Sequence, residues 1–440
     1  MPFKIDDQTL RDLEIFGDQR SSKSTIYSLF NLTFSEGGAS YLKNLLHDPT
    51  NDLKELQRRH ELIGYLSEIN VQPDLNNRQF EFIERFLTLG VTVLKGNPIH
   101  LLYLRFSEWL RPSNDYYLIK SGCYQLMAVF REVKMWLVFN AMPLRIQDYF
   151  KNLYEIVREL DSYLLIEGRL SFNQIIQMDG LVRKKHLSQV RKAIKELYLL
   201  DAYWSVSLVS RNNGFVLPKF IATGHTAILL EGVWHPLVKS AVASDLILDE
   251  QQNLCFITGP NMAGKSTFLK ATGIATYLAH VGFPVPASTF ELPVYDGLMT
   301  TINLSDNLDL GFSHYYAEVS RVKDAAVNVA EGKKLMVIFD ELFRGTNVKD
   351  AMEGSEVIVR AFADISRCTF FMSTHIVEVA GAVKDKSSIQ FCCFESQLDR
   401  QNLTYSYQLK RGVSSERLGM FIIQREGILE ILESAKNQIA

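Results

Sequence analysis

Apolar residues recur with helical spacing through the first half of the chain. Leu126, Val129, Phe130, Val133 and Leu137 occupy positions i, i+3, i+4, i+7 and i+11, which lie on one face of a helix. Turn-forming residues are scarce between about residue 118 and residue 205, so this stretch predicts long helices packed against each other, with breaks at Pro143 and Gly168. Residues 1–215 are therefore predicted to form an all-α domain.

The pattern changes near residue 215, where short apolar runs begin to alternate with helical segments. Such alternation is typical of α/β folds, in which helices cover a largely parallel sheet. The predicted strands are residues 227–230, 254–258, 298–302, 335–339, 369–373, 389–394 and 403–409. The predicted helices are residues 265–279, 315–329, 349–365 and 376–383. We therefore expect a multidomain protein whose C-terminal α/β domain covers residues 216–440.

Composition and charge limit the class of protein. The 440 residues suffice for two or three domains, and 47% hydrophobic with 22% charged residues is typical of a folded chain. The formal net charge of −3 provides no global attraction to nucleic acid, so DNA binding would require local basic patches. Five cysteines without metal-ligand spacing fit a reducing compartment. No apolar run approaches the roughly 20 residues of a membrane span, so we expect a cytoplasmic protein, nucleoid-associated if it is bacterial.

A glycine-rich loop follows the second predicted strand. Residues 258–267 read TGPNMAGKST, which contains the pattern G-x-x-x-x-G-K-S between an apolar strand and a helix. In this order, backbone N–H groups and the helix N-terminus bind a polyphosphate, Lys265 reaches the β- and γ-phosphates, and Ser266 ligates Mg²⁺. The predicted nucleotide-binding residues are Gly259, Pro260, Asn261, Met262, Ala263, Gly264, Lys265, Ser266 and Thr267.

Two further apolar strands end in polar residues. Asp340 and Glu341 follow residues 335–339, at the carboxyl edge where α/β sheets place their ligands. Asp340 is predicted to hold Mg²⁺, and Glu341 to act as the general base that orients the attacking water. A helix N-cap with a solvated neighbour is the alternative interpretation of this pair. His375 follows residues 370–374 and is predicted to sense the γ-phosphate, with a hydrogen-bonded edge histidine as the alternative.

Six motifs, in order between residues 230 and 425, resemble those of the MutS family of DNA mismatch repair proteins. They are the entry to the ATPase domain at residues 235–238, the glycine loop with Asn261 and Met262, the signature segment at residues 306–318, the Mg²⁺ segment at residues 339–346, the switch histidine at residues 373–375 and the closing segment at residues 412–419. Residues 5–15 and 29–63 resemble the core and lever region of the same family.

The resemblance implies an Mg²⁺-dependent ATPase that converts ATP and water to ADP and phosphate. Lys265, Asn261, Glu341 and His375 would then be its catalytic residues. In relatives the signature segment reaches the nucleotide of the partner subunit, so Ser313 and Glu318 imply a homodimer with composite ATP sites. The implied role is an ATP-switched clamp that binds mismatched DNA in DNA mismatch repair.

The chain also departs from the family's pattern. Its first residues resemble the core domain, so the mismatch-reading and connector domains are expected to be absent. A clamp for branched or recombining DNA is therefore one alternative, and an ABC-type ATPase scaffold acting on protein is another. Ala263 replaces a common glycine and requires negative φ at that position. The aromatic residue that stacks on adenine in relatives would fall near Leu246.

A basic helix face is the candidate DNA contact. Lys184, Arg191 and Lys195 share one face away from the apolar stripe, with Arg183, Lys185 and Lys192 nearby. Such a face can neutralise DNA phosphates. A solvated helix face is the alternative interpretation.

Overall fold

The chain forms two compact units, which are not continuous in sequence. The computed structural model describes residues 3–17, 24–69, 72–90, 105–106, 113–139, 142–166, 168–221, 228–249, 251–302, 314–343, 346–399, 402–414, 427–429 and 431–432. The first unit comprises Met1–Leu29, Asp48–His60 and Ser210–Ala440, and the second Phe30–His47 and Glu61–Val209. We call them the α/β unit and the helical unit. The sequence predicted two domains, residues 1–215 and 216–440. These compact units do not test that prediction, because compact units and domains need not coincide.

Helices account for the regular structure that precedes residue 214 in the described part of the chain, apart from a bridge at Lys4. They are α1 (Asp7–Asp12), α2 (Ile26–Phe30), α3 (Glu36–His47), α4 (Leu53–Glu68), α5 (Asn77–Thr88), α6 (Asn114–Phe139), α7 (Leu144–Gln147), α8 (Lys151–Glu159), α9 (Asp161–Leu164), α10 (Phe172–Gly180) and α11 (Leu187–Asn213). A 3₁₀ turn, Asp148–Phe150, follows α7, and a π-helical turn, Leu181–Lys185, follows α10.

Two long helices, α6 and α11, lie at the ends of the stretch between residues 118 and 205, and shorter helices lie between them. The 26-residue α6 buries its predicted apolar stripe, including Leu126, Phe130 and Val133. The middle is divided into short helices. Pro143 precedes α7 and cannot donate a backbone hydrogen bond, and Gly168 has a φ of 84°, which a helix cannot accommodate.

A six-stranded sheet forms the centre of the α/β unit. The strands of this unit are β1 (Lys219–Ile221), β2 (Ile228–Val233), β3 (Ser244–Leu248), β4 (Leu254–Thr258), β5 (Thr289–Pro293), β6 (Gly297–Thr301), β7 (Leu335–Phe339), β8 (Thr369–Thr374), β9 (Ile389–Asp399) and β10 (Asn402–Arg411). The large sheet has the order β10-β9-β4-β8-β7-β6, and only the β10–β9 pair is antiparallel. The smaller sheet has the order β1-β5-β2-β3.

Four helices follow strands of the large sheet, as predicted: α12 (Lys265–Val281), α13 (His314–Ala330), α14 (Val348–Ala363) and α15 (Val377–Ala382). Every residue of β4, β7 and β8 is buried, which explains why these strands are continuous apolar runs. Because β4, β8 and β7 are adjacent and parallel, their carboxyl ends meet at one edge of the sheet. No helix in the described residues is long and apolar enough to cross a membrane.

Candidate functional site

The loop between β4 and α12 depends on two glycines. Gly259 has a φ of 142°, and a Cβ there would lie 2.6 Å from the Phe394 carbonyl oxygen of β9. Gly264 is the N-cap of α12 with a φ of 113° and makes no side-chain cap. The first N–H groups of α12 therefore have no capping side chain, and the helix dipole adds partial positive charge at the same point. This end of the helix is suited to an anion.

The residues between the two glycines differ in exposure. Ala263 is buried and its φ is not positive, so its backbone conformation can accommodate the methyl group. Met262 is 80% exposed and has a φ of 69°. Asn261 is also exposed, next to Pro260. Backbone held in the left-handed region at a non-glycine residue often marks a functional loop.

Lys265 is buried at the start of α12, with its ammonium group turned toward the loop. Its Nζ donates to the carbonyl oxygens of Gly259 at 2.8 Å and Pro260 at 3.0 Å. The Oε1 atom of Glu341 lies 4.0 Å from the same Nζ. Burial lowers the pKa of Lys265, and the charges of Glu341 and Asp340 partly oppose that shift.

Asp340 is fixed at both its backbone and its side chain. Its N–H donates to the carbonyl oxygen of Thr301 at 2.9 Å, and its carboxylate accepts from the hydroxyls of Ser373 and Ser266. Burial raises the pKa of Asp340, and the two hydroxyl hydrogen bonds act in the opposite direction. The structure thus brings Ser266 and Asp340, two residues predicted to hold Mg²⁺, into direct contact.

Glu341 is held in an unusual backbone conformation. Its φ is 56°, and its N–H donates to the carbonyl oxygen and hydroxyl of Ser373, both at 3.1 Å. The N-cap of α14 is Asn347, whose side chain accepts from the N–H of Asp350. The alternative interpretation of Asp340 and Glu341 as a helix N-cap is therefore wrong.

Glu318 lies beside the two carboxylates of its own chain. A small cavity next to the site is lined by Thr301, Ile302, Glu318, Phe339, Asp340, Glu341 and Leu342. His375 is exposed at the carboxyl end of β8, between the strands that carry the loop and the carboxylates. Ser313 and the rest of the signature segment up to residue 313 lie outside the described residues.

A second, larger pocket opens on the other side of the loop. It has a volume of about 320 Å³, and its lining includes Gly264, Thr267, Phe394 and Tyr407. Tyr407 has a φ of 53° at an irregularity of β10 and is 45% exposed. Local sequence contains no signal for this residue, because it is about 140 positions from the loop. Leu246 is buried in β3 and is absent from the lining, and the adenine contact expected near it stays a prediction.

The residues present fit Mg²⁺ bound together with a nucleotide. A serine hydroxyl and a carboxylate are oxygen ligands, and Mg²⁺ usually combines one or two carboxylates with substrate phosphates and water. Among the described residues there is no cluster of three or more His, Cys, Asp or Glu that would hold a metal without a nucleotide.

The basic residues of the helical unit line a shallow groove. It is formed by the π-helical turn and the first three turns of α11, and its lining is Lys184, Lys185, Leu187, Ser188, Arg191, Lys192 and Lys195. Arg183 does not belong to this surface. Its guanidinium is buried, donates to both carboxylate oxygens of Asp179 and lies 5.4 Å from the Phe86 ring centroid.

Together, the fold and the site define a protein with a helical unit and an α/β unit that carries a glycine loop and paired carboxylates at one sheet edge. Residues 8–126 match the model of MutS domain III, and residues 255–440 match that of MutS domain V. The chain belongs to the MutS family.

Individual relatives agree with the family models. The chain is 30% identical over 260 residues to the DNA mismatch repair protein MutS of Leuconostoc citreum, which covers 57% of this chain and 30% of the relative. It is 28% identical over 251 residues to that of Lactobacillus johnsonii, covering 56% and 29%, and 28% identical over 277 residues to that of Listeria monocytogenes, covering 61% and 32%. The matches thus span about a third of the length of these relatives.

Proposed function

We propose that the chain is an Mg²⁺-dependent ATPase that acts as an ATP-switched clamp on DNA in mismatch repair. One observation carries the proposal: the glycine loop, Lys265 and the pair Asp340 and Glu341 lie together at the carboxyl edge of one sheet. The names of the relatives support the repair process.

The loop supplies the phosphate-binding groups. The N–H groups at the start of α12 donate to phosphate oxygens, and the positive end of the helix dipole stabilises their charge. Lys265 exchanges its two carbonyl partners, Gly259 and Pro260, for the β- and γ-phosphates. Ser266 and Asp340 would hold Mg²⁺, which when bound neutralises charge on the phosphates. The side chain of Lys265 is only 4% exposed, so water would screen its attraction to the phosphates little.

Glu341 is the proposed general base. Its carboxylate lies close to Lys265, and its backbone is fixed by Ser373, so it can orient and polarise a water near the γ-phosphate. His375 at the end of the neighbouring strand is the proposed γ-phosphate sensor. Asn261 of the loop is proposed as a further catalytic and nucleotide-binding residue. The pocket beside Gly264 is the proposed site for the adenine ring of ATP, and the Tyr407 ring is available to stack on it.

The partner and DNA contacts rest on the resemblance and on the basic groove. Ser313 is proposed to reach the nucleotide of a partner subunit in a homodimer. Glu318 lines the cavity beside Asp340 of its own chain, which favours a role in its own site over the partner's. The groove of the helical unit is the proposed DNA contact, since no acidic residue appears among its lining residues.

Replacing Glu341 by Gln tests the ATPase. Glu341→Gln keeps the size of the side chain but removes the base, so ATP hydrolysis should fall roughly a hundredfold or more while nucleotide binding persists. Steady-state phosphate release and fluorescent-nucleotide binding provide the two measurements. Glu353→Gln, an exposed change on α14, is the matched control. Unchanged hydrolysis in Glu341→Gln would reject the assigned base, and a wild-type chain that binds no nucleotide would reject the ATPase itself.

Neutralising the groove tests the DNA contact. The double substitution Lys184→Gln and Lys195→Gln should weaken duplex binding and reduce the slope of log K against log salt by about one per lost phosphate contact. Lys54→Gln with Lys349→Gln changes the net charge equally at exposed positions elsewhere and should leave the slope unaltered. Homoduplex, mismatched and four-way-junction DNA, with and without ATP, distinguish a mismatch clamp from one for branched DNA. A wild-type slope near zero would exclude phosphate contacts.

A further inference from the structure

Asp12 is a buried carboxylate at the end of α1 that holds the carboxyl end of β6. It is 1% exposed. Its Oδ2 atom accepts from the Thr300 hydroxyl at 2.7 Å and from the N–H of Ile302 at 2.9 Å. Its Oδ1 atom accepts from the Gln8 side chain at 2.8 Å. The carboxylate therefore holds the side chain of Thr300 and the backbone of Ile302, the residues on either side of Thr301.

Thr301 connects the hydrogen bonds of Asp12 to the candidate metal site. Its carbonyl oxygen accepts the N–H of Asp340 at 2.9 Å, one residue beyond the end of the β6–β7 ladder. Thr301 and Ile302 also line the small cavity that contains Asp340. A hydrogen-bonded path thus runs from Asp12 through the peptide of Thr301 to the backbone of Asp340.

Other residues of α1 and α13 restrain the same strand end. The Thr300 N–H donates to the Thr9 hydroxyl at 3.0 Å, and the Thr300 carbonyl accepts from Arg321 Nη2 at 2.7 Å. Arg321 also pairs with Asp6, the N-cap of α1, at 2.6 Å. Every polar group of the Thr300 residue is therefore held by a group outside the sheet.

We propose that Asp12 is a positioning residue for the metal-binding carboxylate of Asp340, acting through the carbonyl group of Thr301. The proposal rests on the proposed function, because it presumes that Asp340 and Ser266 hold Mg²⁺ with a nucleotide. It extends the site to an N-terminal helix almost 330 residues away in sequence.

The buried carboxylate of Asp12 does more than pack α1 against the sheet. Taking a carboxylate out of water is costly unless its oxygens are satisfied, and apolar contact would hold a helix on a sheet at lower cost. The adjacent residue already provides such contact, since Leu13 is fully buried against Gly273 of α12. What the carboxylate adds is a fixed direction for the Thr301 carbonyl, on which the position of the Asp340 backbone depends.

The opposite end of the same strand offers a matched control. Asp296 precedes β6 and accepts from the Lys334 N–H at 2.9 Å and the Asn51 side chain at 3.0 Å. Like Asp12, it uses a carboxylate to restrain β6 against neighbouring backbone. It lies at the amino end of the strand, away from Asp340. Loss of either carboxylate should lower the melting temperature, but only loss of Asp12 should disturb the site.

The test uses the full chain and does not depend on turnover. Binding of Mn²⁺ in the presence of ADP is followed by the electron paramagnetic resonance signal of free Mn²⁺. Hydrogen exchange of the Asp340 amide is measured in the same samples. Asp12→Ala should raise the Mn²⁺ dissociation constant roughly fivefold, less than the tenfold or more typical of a direct partner of a metal ligand, and should speed amide exchange at Asp340. Asp12→Asn, which keeps one acceptor oxygen, should lie between Asp12→Ala and wild type.

The outcomes separate the alternatives. Equal Mn²⁺ affinity and equal exchange at Asp340 in wild type and Asp12→Ala would overturn the proposal, as would the same Mn²⁺ defect in Asp296→Ala. If Asp12→Ala does not fold, Asp12→Asn, which removes the charge and keeps the size of the side chain, must still weaken Mn²⁺ binding. A wild-type chain that binds neither ADP nor Mn²⁺ with ADP would contradict the proposed function instead. Faster amide exchange at Asp340 in Asp12→Ala would then show that Asp12 restrains the Asp340 backbone, without a role in metal binding.

Discussion

Gly259 shows at the scale of one residue how the loop constrains the chain. Its φ of 142° strains any other residue, and a Cβ would lie 2.6 Å from a backbone oxygen of β9, which cannot move without breaking the sheet. Gly259→Ala should therefore destabilise the α/β unit by about 2 kcal/mol or more and weaken nucleotide binding. Thermal unfolding and fluorescent-nucleotide titration measure the two effects.

A second glycine separates the steric clash from backbone strain. Gly332 has a φ of 89°, but a Cβ there would meet nothing within 4 Å. Gly332→Ala should cost about 1 kcal/mol from the left-handed conformation alone and should not alter nucleotide affinity. If Gly259→Ala proved as mild as Gly332→Ala, the close approach to β9 would not matter.

The residues that sequence predicted are those whose roles depend on local spacing. Lys265 and Ser266 follow the second glycine of the loop directly, and Asp340 follows an apolar strand. The strand and helix patterns were therefore enough to predict that these residues lie at one edge of the sheet. Tyr407 and Asp12 reach the same region only through the topology of the sheet and the packing of α1. A single sequence contains no periodic signal for such distant contacts.

At the scale of elements, burial decided which strands were predictable. In the large sheet, β4, β7 and β8 are buried at every residue. All six strands of this sheet were predicted, with bounds within two residues of those observed except at the end of β9, which extends five residues further. In contrast, β1 has only three residues, and β3 alternates buried and exposed residues over five positions. Such runs cannot be told from loop segments by pattern alone, so the smaller sheet was largely missed.

The π-helical turn is an element that local sequence did not predict. Residues 181–185 carry the basic residues that open the groove, and the turn places Arg183 inward and Lys184 outward. Inserted turns of this kind are frequent at functional positions of helices. Regular helical spacing places Arg183 near the exposed cations, and for that reason the sequence does not reveal its buried ion pair with Asp179.

At the scale of the whole molecule, burial changes the pKa of an acid in one unit and of two bases in the other, and therefore acts in opposite directions. In the helical unit, burial raises the pKa of Asp201 to about 6, against hydrogen bonds from Ser35 and the Phe34 N–H. In the α/β unit, burial lowers the pKa of His60 and of His280 to about 4. His280 must also remain neutral to accept the Tyr295 N–H at 3.0 Å while it bonds to the Thr276 carbonyl.

The directions of these pKa changes predict opposite pH dependences for the two units. An acid whose pKa is raised on folding stabilises the folded state at low pH, so the helical unit should lose stability as pH rises from about 4 to about 6. A base whose pKa is lowered stabilises it at high pH, so the α/β unit should lose stability as pH falls from about 6.5 to about 4. A tenfold difference in proton affinity between the folded and unfolded states corresponds to about 1.4 kcal/mol, so each group contributes on the order of a few kcal/mol.

Hydrogen exchange resolved by peptide and corrected for intrinsic rates measures each unit separately. Lowering the pH from 6.5 to 4 should reduce protection in β6 and α12 while protection in α3 and α11 is maintained or rises. Asp201→Asn removes this titrating group and should reduce the loss of protection in the helical unit as pH rises from about 4 to about 6, without altering the pH dependence of the α/β unit. Parallel loss of protection in both units would contradict the opposite signs, because His280 and Asp201 would then not dominate the titration of their units.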